Sequence, residues 1–142
     1  MPLNDNEPEV ALLKRNLSTL LRALRSSQVT FVEVTYAGAR GRCQPCQVTV
    51  TPHGIPAVLD SPVVLERLSA DAGQVPVAAI EERLTISEGL KHFTLHWASL
   101  EHGHWQRGDG GHGVMRIVVT SRLVTLDHDA VHIESHHTTL KE

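Results

Sequence analysis

Side chains that bind metals or transfer protons are concentrated in one glycine-dense stretch of the sequence. From His102 to Gly113 the chain carries three histidines, one tryptophan and one aspartate among five glycines. Imidazole nitrogens and carboxylate oxygens are ligands for divalent transition metals, and a glycine-rich loop can bring such ligands together. The stretch is therefore a candidate site for a divalent metal such as zinc, with the ligands His102, His104, His112 and Asp127.

The same stretch also has a structural interpretation. An indole can close the end of a core while a carboxylate accepts hydrogen bonds from the backbone N–H groups of a glycine turn. This interpretation is favoured over catalysis, because the adjoining strands need a defined entry and such a turn provides it. The metal site is also less favoured, because no ligand spacing set by a helix face, such as H-E-x-x-H, is present. The structural interpretation assigns the following residues to a structural loop and expects no cofactor: Trp105, Asp109, Gly110 and Gly113.

Motifs of the common enzyme classes are absent from the sequence. It contains no G-x-S-x-G, no P-loop and no G-x-G-x-x-G between a strand and a helix. Cys43-Gln-Pro-Cys46 has the spacing of half a zinc site or of a redox dithiol, but it has no second cysteine pair and lies between two predicted strands. A turn with incidental cysteines is favoured over a metal site. No catalytic residue is assigned, and enzymatic activity is the less favoured class.

Basic side chains provide a second candidate surface. Apolar residues from Glu9 to Ser26 recur at i, i+3, i+4 and i+7, which predicts an amphipathic helix. Four cations form one sector beside its apolar stripe, and two more lie on a predicted turn, so the candidate partner-binding residues are Lys14, Arg15, Arg22, Arg25, Arg40 and Arg42. If the helix and the turn meet at one edge of a sheet, the six cations attract an anionic partner. The alternative is a solvated helix face.

Length and charge limit the possible classes of protein. The chain has 142 residues, 13 basic and 16 acidic side chains and a formal charge of −3, which excludes a generally basic nucleic-acid binder but allows a local basic patch. No apolar run reaches the length of a membrane span, and the N-terminus lacks the features of a signal peptide. A cytoplasmic protein without a membrane partner is expected.

Periodicity and turn residues predict the remaining elements. Strands are expected over residues 29–36, 47–51, 114–120, 123–127 and 130–135, with a further edge segment over 55–59 and a tail at His136-His137. Ser61-Pro62 predicts the start of a short helix over residues 63–69. A second long helix is expected over residues 77–100, kinked or divided around Thr85–Ser87 and Gly89.

These elements predict an α+β fold. The arrangement is a two-layer sandwich, in which an antiparallel sheet of about five strands carries the two main helices on one face. Residues 1–8 are expected to be a flexible lead-in, and residues 9–142 to form a single domain.

The glycine-dense stretch and the strands after it also resemble a known family. The run Trp105-x-x-x-Asp109-Gly110-x-x-Gly113, followed by Leu126-Asp127-His128-Asp129, is similar to G-W-E-x-N-D-G-x-x-G and L-D-H-N in uncharacterised bacterial proteins often encoded on plasmids and other mobile elements. This chain departs from the pattern at His104, Gln106, Gly108 and Asp129. The resemblance implies an α+β fold and a mobile-element context. It implies no catalytic residues, because that family has no established activity.

Three functions are compatible with these observations. The leading hypothesis is a small non-enzymatic binding protein, for example a mobile-element regulator or inhibitor, that docks on a protein or nucleoprotein partner. The first alternative is a metal-binding protein or metal-dependent enzyme that uses the His-rich loop. The second is a nucleic-acid binder that uses the basic first helix. The sequence leaves the oligomeric state open, and a homodimer is among the options.

Overall fold

The fold consists of a central antiparallel sheet, two helices packed on it and a separate two-stranded hairpin. This computed structural model describes residues 8–39, 42–43, 46–51, 60–68, 79–102, 110–130 and 135–141. The helices are α1 (Pro8–Ser26) and α2 (Ile86–His102). The strands are β1 (Phe31–Ala39), β2 (Arg42–Cys43), β3 (Gln47–Thr51), β4 (Pro62–Leu68), β5 (Ala79–Thr85), β6 (Gly111–Val118), β7 (Leu123–Ala130) and β8 (Ser135–Lys141).

The central sheet is antiparallel throughout, and its strand order is β2-β1-β6-β7-β8. Two strands share the edge of the sheet beside β1. Strand β3 pairs with residues 31–35 of β1, and β2 pairs with residues 38–39. The predicted α+β fold is therefore confirmed. The predicted hairpins over 29–36 with 47–51 and over 114–120 with 123–127 are also confirmed, with modest changes in their bounds.

Only one face of this sheet is buried by the helices. Along β1, β6 and β7, alternate side chains enter the core, among them Val32, Val34, Met115, Ile117, Val124 and Leu126. They pack with the leucines of α1 and with Phe93 and Trp97 of α2. The intervening side chains, such as Glu33, Arg116 and Asp127, are half-exposed on the opposite face. This alternation is what a sheet with one covered face requires.

Helix α1 has a wider buried surface than its sequence pattern predicts. Pro8 occupies its first position, where the missing N–H has no cost, and Glu9 lies in its first turn. At its end the Val29 N–H donates to the Leu24 carbonyl, with Gln28 in a left-handed conformation. Leu12 and Asn16 are buried beside the predicted leucine stripe, so that about half of the helix circumference is covered. A second element must therefore pack on α1.

That second element is the hairpin of β4 and β5. Its residues Val63 and Leu65 are buried in the core, and Leu65 and Val63 approach Gly89 of α2 so closely that an added Cβ would lie 3.1–3.3 Å from them. The Asn16 carboxamide binds the β4 backbone at both ends: its Nδ2 donates to the Glu66 carbonyl (2.9 Å), and its Oδ1 accepts from the Glu66 N–H (2.8 Å). A side chain of α1 thus takes the place of a neighbouring strand at this point of β4.

The helix predicted over residues 63–69 is wrong, since residues 63–68 form most of β4. Proline at the first position is compatible with a strand as well as with a helix, and Val63-Val64 is β-branched. Pairing with β5 over the full length of β4 decides the conformation. This pairing is not visible in the local sequence.

The long helix predicted over residues 77–100 is wrong in its first part, where Ala79–Thr85 forms β5. A capping box marks the true start of α2: the Thr85 N–H donates to Glu88 Oε1 and the Glu88 N–H donates to Thr85 Oγ1, both at 3.1 Å. These backbone and side-chain hydrogen bonds from Thr85 lower the pKa of Glu88. The sequence Thr85-Ile-Ser-Glu88 therefore begins a helix and does not interrupt one.

The C-terminal prediction also needs correction. His136 and His137 are not a tail but belong to β8, which pairs with β7 from Asp129↔Ser135 to Leu123↔Lys141. Most of the strand predicted over 130–135, and the whole edge segment over 55–59, lie outside the described residues. Among the helices described, none combines the length and apolar character that crossing a membrane demands.

The contact between Asn16 and Glu66 generates a stability prediction. Replacing Asn16 with alanine leaves a backbone donor and a backbone acceptor of β4 without this partner, which should lower the free energy of unfolding by ~1–3 kcal/mol. Denaturant unfolding of the Asn16→Ala variant measures the change. Thr19→Ala on the same helix is the control, because Thr19 Oγ1 donates only to the Arg15 carbonyl one turn earlier. Equal losses in both variants would contradict a docking role for Asn16.

Candidate functional site

Strand pairing brings the glycine segment of β6 and the Leu-Asp-His-Asp segment of β7 into one row across the sheet. Gly113 of β6 lies opposite His128 of β7 on one side and opposite Tyr36 of β1 on the other. His112 pairs with Asp129, and Val114 with Asp127, in the same register. The glycine segment and the Leu-Asp-His-Asp segment are therefore direct neighbours, although twelve residues lie between Gly113 and Leu126 along the chain.

Tyr36 and His128 contact each other across Gly113 on the buried face. Tyr36 Oη and His128 Nδ1 are 2.7 Å apart, and the two rings stack with centroids 5.8 Å apart and an interplanar angle of 16°. Only 3% of Tyr36 and 2% of His128 is exposed. A Cβ at Gly113 would overlap with the Tyr36 hydroxyl and lie 2.6 Å from the Asp127 carbonyl oxygen. A Cβ at Gly111 would lie 2.7 Å from the Asp129 carbonyl oxygen and 3.1 Å from the His128 ring. The two rings can meet because β6 has no side chain between them.

The environment of Tyr36 keeps its hydroxyl protonated. Burial raises the pKa of Tyr36 well above its usual range, and the carboxylates of Asp129 and Asp127 raise it further. A phenolate is therefore strongly disfavoured at neutral pH, so Tyr36 is not activated as a nucleophile or base. The arrangement is suited to holding β1, β6 and β7 in register through a buried hydrogen bond.

Charged side chains form a network on the opposite, exposed face of the same strands. Arg116 bridges two strands, since its Nε donates to Glu33 and its Nη1 to Asp127, both at 3.1 Å. Asp127 also contacts His137 of β8, and His112 Nε2 lies 3.5 Å from Asp129 Oδ2. Sequence analysis missed His137 because it was assigned to a tail. The β-branched pair Thr138-Thr139 is the sequence signal that could have indicated strand β8.

The predicted metal ligands are only partly described. His112 and Asp127 share the exposed face but contact different partners, Asp129 and His137. His102 is the last residue of α2 and its side chain, like the whole of His104, lies outside the described part. Within the described ranges no group of three or more histidine, cysteine, aspartate or glutamate side chains is placed to hold a metal ion. The metal site remains a prediction.

Two of the four residues assigned to the structural loop are described, and two are not. Trp105 and Asp109 lie outside the described residues. Gly110 precedes β6 with a φ of 78°, a left-handed conformation that favours glycine, and Gly113 lies within β6, where the close approach of Tyr36 demands it.

The basic residues do not form one continuous cluster. Arg15 pairs with Glu66 of β4 (2.7 Å), and Lys14 is half-buried. Arg22 and Arg25 line a cleft of about 230 Å³ together with Arg122 of the turn between β6 and β7. Arg40 is outside the described residues, and the backbone of Arg42 pairs with Ala39 at the far end of β1, roughly 25 Å from Phe31 by strand geometry. Sequence analysis missed Arg122, because only the tertiary fold places this turn beside α1.

Comparison with known proteins agrees with the resemblance to a family without an assigned activity. Residues 12–141 match the model of a family of unknown function, DUF6878, and the chain belongs to this family. Neither a curated protein nor a solved structure matches the chain. The matched range includes Tyr36, Gly113 and His128.

The raised pKa of Tyr36 generates a prediction about alkaline stability. Because the folded-state pKa lies above the unfolded value of about 10, the protonated hydroxyl contributes stability that is fully present below about pH 10 and is lost as the pH rises above it. Tyr36 is the only tyrosine, so tyrosinate absorbance reports this residue alone. We expect absorbance and near-ultraviolet circular dichroism to change together at unfolding. Tyrosinate that forms near pH 10 in the folded protein would contradict the burial argument.

The close approach over Gly113 generates a second prediction. Gly113→Ala should lower the free energy of unfolding by roughly 3 kcal/mol, because the new methyl group overlaps with the Tyr36 ring. In a Tyr36→Leu background, which removes the hydroxyl, the same substitution should cost clearly less. A double-mutant cycle by denaturant unfolding measures this coupling. Strictly additive losses would show that the Tyr36 ring is not what excludes a side chain at position 113.

Proposed function

For this member of a family without an assigned activity, we propose a non-enzymatic binding protein that docks on an acidic surface of a protein partner. The observation that carries this proposal is the cleft between α1 and the turn linking β6 and β7, which Arg22, Arg25 and Arg122 line together. Ser18 and Leu21 complete the described lining, so no carboxylate contributes to it. Guanidinium groups bind carboxylates through paired hydrogen bonds, which suits recognition of glutamate or aspartate side chains.

The three arginines are available for a partner. All three are exposed, and none forms an ion pair with a residue that the structure describes. In contrast, Arg15, Arg67 and Arg116 each contact a carboxylate. Among the described residues, the three cations of the cleft have no carboxylate partner, and together they make a local positive potential on a chain of net negative charge. Such asymmetry raises the association rate and orients an acidic partner.

The backbone of Arg122 supports a functional role for its side chain. Its φ is 58°, a left-handed conformation in which glycine or asparagine is the less strained choice. An arginine at this position gives up some stability of the turn. Strain of this kind often accompanies function, and here it places a third guanidinium group in the cleft.

An acidic protein surface fits this cleft better than a nucleic acid does. Nucleic-acid affinity grows with the number of phosphates that lysine and arginine neutralise, and a groove for a nucleic-acid strand therefore needs cations along its length. The cleft offers three, and the turn that carries Arg42 lies at the opposite end of β1. The basic helix and the basic turn therefore act as separate surfaces.

The resemblance to proteins of mobile elements and the amino-acid composition support a proposal about the biological setting of this protein. A cytoplasmic regulator or inhibitor encoded on a mobile element would act by occupying an acidic surface of a host or element protein. Such a role requires recognition and no bond chemistry, which agrees with a Tyr36 that is not activated as a nucleophile.

Charge reversal in the cleft tests the proposal. The double variant Arg22→Glu/Arg25→Glu should bind a labelled polyglutamate peptide at least ~10-fold more slowly than the parent at low ionic strength, and its rate should depend less on salt. Its free energy of unfolding should change by no more than ~1 kcal/mol, because exposed charges contribute little to stability. Stopped-flow fluorescence and denaturant unfolding provide the two readouts.

Two further variants make the test specific. Arg83→Glu/Lys91→Glu changes the net charge by the same amount away from the cleft and should retain most of the association rate. Arg122→Gly should weaken peptide binding while it leaves stability unchanged or raises it by up to ~1 kcal/mol, because glycine adopts the left-handed backbone without steric cost. Equal slowing in the cleft variant and its control would reject the cleft as the docking site. Preference for a DNA duplex of equal charge would favour the nucleic-acid alternative.

A further inference from the structure

A second recess lies where the two helices meet the β4–β5 hairpin. Its volume is about 230 Å³, and its walls come from the first half of α1, the middle of α2 and the inner side of the hairpin. It is separate from the arginine cleft, since the two share no lining residue. A recess of this size can hold a molecule little larger than benzene and is too small for a protein surface.

The floor of the recess is apolar and firmly packed. Leu12, Leu65 and Phe93 contribute to it, and each of these side chains is at most 3% exposed overall. Asn16 also borders the recess, but its carboxamide is held by the Glu66 backbone. The walls are thus fixed by the core on one side and by the docked strand on the other. A ligand would bind here without ordering the floor first, which lowers the entropy cost of binding.

The rim carries more negative than positive charge. Three glutamates border the recess, and two of them are compensated: Glu66 pairs with Arg15 (2.7 Å) and Glu82 with Arg67 (3.3 Å). Glu9 is the third, and it forms no ion pair with a residue that the structure describes. The rim therefore presents one excess carboxylate above an apolar floor.

His96 lies on the rim near that carboxylate. Burial lowers the pKa of His96 below its usual range, and this effect outweighs the opposing attraction of Glu9. At neutral pH the ring is therefore uncharged and has one nitrogen that can accept a hydrogen bond. Glu9 and His96 together offer hydrogen-bond acceptors to a cationic donor. The exposed His92 lies one turn before His96 on α2 and also borders the recess.

We propose that this recess binds a small protonated amine with an apolar body. The hydrocarbon part packs on the half-exposed Leu84, above the buried Leu12, Leu65 and Phe93. The ammonium group donates to the Glu9 carboxylate and to the free nitrogen of His96. A carboxylic acid of the same shape places its charge against Glu9 and is rejected. An alcohol of the same shape keeps the apolar contacts but loses the ion pair.

The test compares three probes of matched shape: 2-phenylethylamine, 3-phenylpropionate and 2-phenylethanol. Titration of the full chain, followed by NMR of the histidine ring protons, should show saturable shifts at His96 with the amine. The alcohol should bind at least tenfold more weakly, and the acid should give no saturable shift. Shifts of equal size with the acid, or no shift with any probe, would overturn the proposal.

Variants separate the charge from the cavity. Glu9→Gln should weaken amine binding at least tenfold and leave alcohol binding unchanged, whereas the control Glu81→Gln, at an exposed position that does not border the recess, should leave both unchanged. Leu84→Trp fills the recess from a half-exposed position and should abolish binding of both probes, with folding checked by the wild-type pattern of the remaining NMR signals. Amine binding that survives either Glu9→Gln or Leu84→Trp would place the amine elsewhere.

Discussion

The contact between Tyr36 and His128 over Gly113 is the constraint on which the centre of this fold depends. Two rings from β1 and β7 can meet only if the strand between them has no side chain there, and this requirement gives the glycine-dense start of β6 a structural cause. The same contact sets the register of three strands. That register turns His112, Asp127 and Asp129 outward together, so the arrangement of the exposed ion pairs follows from a buried hydrogen bond.

Helix α1 is the second organising element, because it is buried on more than one side. Its leucines cover the sheet, while Leu12 and Asn16 receive the β4–β5 hairpin. A two-stranded hairpin is marginal on its own, and here buried valine and leucine side chains and the Asn16 carboxamide stabilise it against the helices. The docked hairpin creates the recess near Glu9, and the opposite end of α1 contributes Arg22 and Arg25 to the cleft.

Local pairing of charges decides which surfaces can attract a partner. The exposed face of the sheet is largely self-compensated, with Arg116 between Glu33 and Asp127, and Arg15 and Arg67 are matched by Glu66 and Glu82. The net charge of −3 therefore describes neither candidate site. Of the described residues, three cations in the cleft and one carboxylate at the recess have no ion-pair partner, and these charges favour ligands of opposite sign at the two sites.

Local sequence alone determined the elements whose signals act over short distances: the leucine periodicity of α1, the β-branched runs of β1 and β3, and the hairpin of β6 and β7. It was ambiguous at Ser61-Pro62 and misleading before Thr85, because β4 and β5 are strands only through pairing with each other. The tertiary structure alone decided that Tyr36 reaches His128, that Arg122 joins Arg22 and Arg25, and that Arg42 does not. Each of these depends on strand order and register, which are set by contacts between residues far apart in the chain and leave no local pattern in the sequence.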